Sequence, residues 1–152
     1  MGSVLYEPTR EVLQQCARAA GVASVIDNPP DDWDSRGLLN VPGLVWIAES
    51  DRCLTGRLEA PRNIAYDEFG AEFVFRQPRT KAELAQVMRA AWADPFDAYR
   101  FDGFAHWTYA CASAWFNGTH VITGWLERML TVTHPREIRD GAVATLDYLG
   151  SA

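Results

Sequence analysis

Lysine is nearly missing from this 152-residue chain: Lys81 is the only one, and the rest of its 14 basic residues are arginines that form no run. Against 20 acidic residues they leave a net charge of −6 and a pI near 5.0. A polyanion is therefore repelled on average, and nucleic acid is not an expected partner. The acidic excess is also too thin for a face that imitates DNA, and scattered arginines make surface ion pairs of little individual worth. Cysteine is scarce as well. Cys16, Cys53 and Cys111 are odd in number and widely spaced, with no CxxC, which excludes a disulfide framework and a zinc knuckle and leaves reduced, buried thiols as the expectation.

Long hydrophobic runs are missing too. No apolar stretch approaches the roughly 20 residues of a membrane helix, and MGSVLYEPTR lacks the basic stretch and apolar core of a signal peptide. The expectation is a cytoplasmic protein with no membrane partner. The sequon Asn117-Gly118-Thr119 would matter only in a secretory compartment. GxGxxG, GxxxxGK and HExxH do not occur, so no nucleotide cofactor is indicated. His120, Glu127 and His134 would share a helical face, but seven residues of helix separate neighbours by roughly 10 Å, too far for ligands of a single ion. Residues 32–43 fail as a calcium loop, with Arg36 at the fifth position and Gly43 where a glutamate belongs. No metal or cofactor is expected.

What remains reads as one α+β domain: a small antiparallel sheet of three to four strands, packed by four to five helices, with a helix-rich C-terminal half. Val12, Cys16 and Ala19 mark an amphipathic helix between Pro8 and Gly21. Residues 27–43, DNPPDDWDSRGLLNVPG, form a long acidic loop. The apolar run Leu44 to Ala48 reads as a buried strand, with a hairpin partner around Cys53 to Glu59. Asn63 to Tyr66 adds a short strand. The alternation of Phe69, Ala71, Phe73 and Phe75 against Glu72, Val74 and Arg76 adds another with one face buried.

Thr80 and Glu83 form a capping box for a helix that buries Leu84, Val87, Met88, Ala91 and Trp92 and ends at Asp94-Pro95. A single helix is expected from about Phe104 to Phe116, with Phe104, Trp107, Thr108, Cys111 and Trp115 on its apolar stripe. Residues 119–133 favour a helix over a strand. Pro135 opens the last helix, which Gly150 would close.

Aromatic side chains are abundant, above all between Trp92 and Trp125, where Phe96, Tyr99, Phe101, Phe104, Trp107, Tyr109, Trp115 and Phe116 crowd a short stretch. A small domain can use such rings as core. One helix cannot bury them all round its circumference, however, so part of the set is expected to line a pocket or an interface. Tyr109 and Phe116 lie off the stripe and are the better candidates for that surplus. On the same helix His106, Tyr109, Ser113 and Asn117 recur at i, i+3, i+7 and i+11, a polar row beside the stripe.

Two binding modes follow. A protein partner could be engaged through Trp33 in the acidic loop together with Phe96, Tyr99 and Phe101, aromatic anchors rimmed by aspartates that suit a basic surface. A small apolar or aromatic molecule could instead sit beside the helix, held by His106, Trp107, Tyr109, Ser113 and Trp115. Surplus aromatics are also compatible with a homodimer. Catalysis is the alternative, with Cys111 or His106 in a hydrolase or transferase. His106 lies about 140° round the helix from Cys111, however, and Cys111 on the core stripe is expected to be packed and inert. Asp67, Glu68 and Glu72 are the carboxylates near a strand. An exposed turn before Gly70 accounts for Asp67 and Glu68, while a buried pair could split its pKa values for acid and base work.

Overall fold

A computed structural model describes residues 7–26 and 32–151. Helix α1 spans Arg10–Ala19, with the Thr9 hydroxyl accepting from the Val12 N–H at 3.2 Å. Gly21 follows with φ +76°, the left-handed backbone that ends a helix without steric cost in glycine. Asp27 to Asp31 of the acidic loop lie outside the described residues. From Asp32 to Leu44 the chain is irregular apart from a 3₁₀ turn at Trp33–Ser35.

Strand β1 is Trp46–Ile47 and is fully buried. Its expected hairpin partner does not form. Residues Gly56–Glu59 are a short helix, α2, and β1 pairs antiparallel with β4, Tyr99–Arg100, far along the chain. β2 (Ile64–Tyr66) pairs antiparallel with β3 (Glu72–Val74) through the turn in which the Gly70 N–H donates to the Asp67 carbonyl. Gly70 takes φ +89° there. The sheet is thus two pairs of strands and not one sheet of three or four. β3 is buried on both faces, and Phe69 of the expected apolar row is exposed.

Side-chain amides join the two pairs. Asn40 Oδ1 accepts from the Val74 N–H at 2.9 Å and the Ile47 N–H at 3.3 Å, while its Nδ2 donates to the Ile47 and Gly37 carbonyls at 2.8 Å each. Gln77 repeats the device on residues 41–45, donating to the Val41 and Val45 carbonyls and accepting from the Val45 N–H. Both residues stand in for a ladder that the main chain does not complete, so buried peptide groups stay satisfied without a continuous sheet.

Helix α3 (Lys81–Ala93) begins where the Thr80 hydroxyl accepts from the Glu83 N–H. The Glu83 carboxylate accepts instead from Asn63 at 3.1 Å, so it ties the helix to β2. Leu84, Val87, Met88, Ala90 and Ala91 are buried, whereas Trp92 is exposed, against expectation. The buried residues of α3 join Leu13, Cys16 and Ala17 of α1, Val41, Leu44, Val45 and Ile47, and Tyr99 in the main core.

From Gly103 onward the described chain is helical with short connections: α4 (Gly103–His106), α5 (Tyr109–Asn117), α6 (Thr119–Met129) and α7 (Arg136–Ser151). Gly150 lies inside α7, not past its end. Leu126 and Met129 of α6 pack with Ile138 and Ala142 of α7 against Tyr66 in a second core. Gly103 fixes the junction with the central sheet. Its N–H donates to the Leu44 carbonyl at 2.8 Å, and a Cβ there would stand 1.8 Å from the Gly43 carbonyl oxygen.

Among the described residues, then, the domain is α+β with seven α-helices, two of them only four residues long, and two small antiparallel sheets. No helix among these residues is long and apolar enough to cross a membrane.

Candidate functional site

The expected helix 104–116 is broken. Trp107 leaves α4 with extended backbone, and Thr108 restarts the chain as the cap of α5, its hydroxyl accepting from the Cys111 N–H at 3.1 Å. A threonine offers its own hydroxyl to nearby peptide groups, and that competition favours caps over helix interiors. Thr108 is the signal by which the break could have been read. The predicted polar row therefore does not run along one helix: His106 belongs to α4, and Tyr109, Ser113 and Asn117 to α5.

His106 lies instead in an aromatic cluster. Its ring stacks on Trp33 with centroids 4.8 Å apart and meets the Trp46 ring edge-on at 5.8 Å. Trp33 in turn meets Trp46 and Trp107 edge-on at 5.0 and 5.1 Å. The Arg36 guanidinium stands over Trp33 at 4.3 Å, a cation on a ring face. Asp102 ties the cluster to the sheet, accepting from the Trp46 indole N–H at 2.8 Å through one oxygen and lying 3.1 Å from His106 Nε2 through the other. Trp33 is therefore half-buried among rings and not a freely displayed anchor. Trp46, Asp102 and Arg36 were not legible as parts of a site, because nothing in their own segments separates them from core or surface.

Beside this cluster lies a surface hollow of about 330 Å³ lined by Arg36, Leu38, Trp107, Cys111, Ala114 and Trp115. It takes Trp107 and Trp115 of the predicted ligand set. His106, Tyr109 and Ser113 are not among its walls. The Trp115 indole donates to the Leu38 carbonyl at 3.0 Å, fixing α5 to the irregular segment. The Trp107 indole N–H is buried without an acceptor among the described residues. Cys111 is exposed in this hollow, which corrects its expected place in the core, and Cys53 is exposed as well. No hydrogen bond joins Cys111 to His106, whose polar contact is with Asp102.

Helix α5 itself, YACASAWFN, carries no charged side chain and has no buried residue. Tyr109 is 89% exposed, Phe116 47%, and Leu38 across the hollow 79%. Of the other predicted anchors Phe96 is exposed, while Tyr99 and Phe101 are buried in the core and cannot face a partner as the chain stands.

A second group is acidic and buried: Asp51, Glu72 and Asp94, next to a cleft of about 460 Å³ between residues 49–53 and Pro95-Phe96. Burial pushes the Glu72 carboxyl up to about 7 even though Tyr99 Oη donates to it at 2.5 Å and the Gly56 N–H at 2.8 Å. Burial also raises Asp94, with the neighbouring Asp51 carboxyl adding to the effect, while the Phe96 and Ala98 N–H groups pull the other way. Tyr99 is held well above its ordinary range by burial and the adjoining Glu72. Split carboxyl pKa values are the raw material of acid and base catalysis. Here, however, main-chain donors occupy each acid: Asp51 holds Cys53, Asp94 holds Ala98 and Phe96, and Glu72 holds Gly56. The cluster anchors turns. Of the carboxylates expected near a strand, Glu72 is the buried one, and Asp67 accepts from the Phe69 and Ala71 N–H groups in its turn. Among the described residues no three histidine, cysteine or acidic side chains are grouped to hold a metal ion.

Comparison with protein-family models, with curated proteins and with solved structures finds no match to this chain.

Proposed function

We propose that this is a non-catalytic binding protein that engages a protein partner through α5 and the hollow beside it. One observation carries the reading: an uncharged helix of nine residues, three of them aromatic, in which no residue is fully buried and Trp115 packs against the main core while Tyr109 and Phe116 stay exposed. Monomeric domains rarely leave a contiguous apolar surface of this kind uncovered. Tyr and Trp are the side chains that most often dominate interface energies; Trp107 and Trp115 line the hollow with Leu38, and Tyr109 and Phe116 are exposed on α5 outside its walls. The rim charge is Arg36, which makes no ion pair among the described residues, so an acidic or neutral rim on the partner fits better than the basic one expected around Trp33.

The test is a photocrosslinking amino acid at position 109, with one at exposed Val143 on α7 as the control, in the cells that make the protein. A discrete adduct from position 109 only, lost when Ala114→Arg fills the hollow, is the expected result; sedimentation of the purified chain tells whether the partner is a second copy. Equal crosslinking from both positions, or none from 109, would end the proposal. The orphan Trp107 N–H favours a second reading, a small aromatic molecule bearing a hydrogen-bond acceptor in the hollow. That reading predicts a saturable change in tryptophan fluorescence with such a molecule, abolished by the same Ala114→Arg.

A further inference from the structure

Another hollow, of about 510 Å³, lies where the segment after α2, the end of β3 and α7 come together, and Pro61, Arg62, Phe75, Arg76, Asp147 and Tyr148 line it. Its volume falls within the roughly 300–1,000 Å³ of small-molecule sites. Phe75 and Tyr148 meet edge to face, with centroids 6.3 Å apart, and supply an aromatic wall.

The charges are what set it apart. In a chain with more acids than bases, neither Arg62 nor Arg76 joins an ion pair among the described residues, and Asp147 pairs with neither although it shares the wall. Arg76 Nε is buried with no acceptor among the described residues. A buried guanidinium N–H without a partner is disfavoured on folding, so a native structure that keeps one is left needing an acceptor.

From this we infer that the hollow binds a small aromatic carboxylate. A planar carboxylate matches the fork of a guanidinium group in a paired, two-bond geometry that a point charge does not offer. Its ring packs against Phe75 and Tyr148. Two guanidinium groups and the Asp147 carboxylate leave one positive charge, which a single carboxylate neutralises and a phosphate dianion overfills. The inference uses different elements from the α5 face and stands whether or not that face binds a protein.

Benzoate is the probe, followed on the full chain by the Nε–H resonances of the arginines and by calorimetry. Benzyl alcohol keeps the ring without the charge, and phenyl phosphate carries more charge. Saturable movement of the Arg76 resonance at millimolar benzoate is expected, with both comparison compounds weaker by roughly tenfold or more. Arg76→Gln should remove benzoate binding. Arg62→Gln, at an exposed position that folding tolerates, should weaken it by roughly fivefold or more and decides the matter if the Arg76 variant does not fold. No saturable movement, equal binding of benzyl alcohol, tighter binding of phenyl phosphate, or benzoate affinity indifferent to Arg62→Gln would each overturn the assignment.

Discussion

Helices α3 and α5 make an instructive pair. α3 carries Lys81, Glu83 and Arg89 and still buries six of its thirteen residues; α5 carries no charge and buries none of its nine. What separates them is their neighbours. α3 lies against α1 and α2 and contributes five buried side chains to the main core, whereas α5 reaches that core only through half-buried Trp115. Apolarity says that a helix needs cover. It does not say whether the same chain provides it, and where it does not, the uncovered face is a place for something else.

The sharpest way to break the contrast is at the amides that make the central region self-sufficient. Asn40→Ala leaves the Val74 and Ile47 N–H groups without an acceptor and takes one of two donors from the Ile47 and Gly37 carbonyls, and should cost about 4 kcal/mol in chemical denaturation. Leu84→Ala on the covered helix should follow at about 3 kcal/mol, the cost of a cavity in packed core.

Next comes pH. The folded pKa of Glu72, about 7, lies above its ordinary value of 4.5, so the folded state holds more protons in between. Its contribution to stability is therefore greatest below the lower value and is lost as pH rises through the upper one. Between pH 5 and pH 8 the wild type should lose roughly 2 to 3 kcal/mol relative to Glu72→Gln, read from paired denaturation curves. A difference of the opposite sign would mean that Glu72 is paired with a cation in solution. Trp33→Ala, in the aromatic cluster, should cost about 2 kcal/mol, less than a fully buried ring. Smallest of all, Tyr109→Ala on α5 should leave the melting transition within about 0.5 kcal/mol of the wild type while weakening partner capture. A large loss of stability there would show that α5 is covered after all.

Much of the helical pattern was legible. Thr80, Pro135 and Gly21 punctuate the chain at positions where local chemistry acts alone, and the periodicity of Leu84, Val87, Met88 and Ala91 needs no distant partner. The β structure was harder, because β1 pairs with β4 across more than fifty residues, and Cys53 to Glu59 takes up a short helix next to the Glu72 carboxylate. Of the candidate site, the surplus of rings around Tyr109 and Phe116 was visible. Its walls were not: Leu38 and Arg36 come from the irregular segment, and their approach to Trp115 and Trp107 is a tertiary event.

By itself the sequence determined the α+β character, the acidic balance and the excess of aromatic residues, since these follow from composition and from spacings of a few residues. Only the tertiary structure decided which rings are enclosed, that His106 stacks on Trp33, that Cys111 faces outward and that two arginines share a hollow with Asp147 and form no ion pair among the described residues. Burial and pairing depend on what arrives from remote parts of the chain, and no local pattern of side chains carries that information.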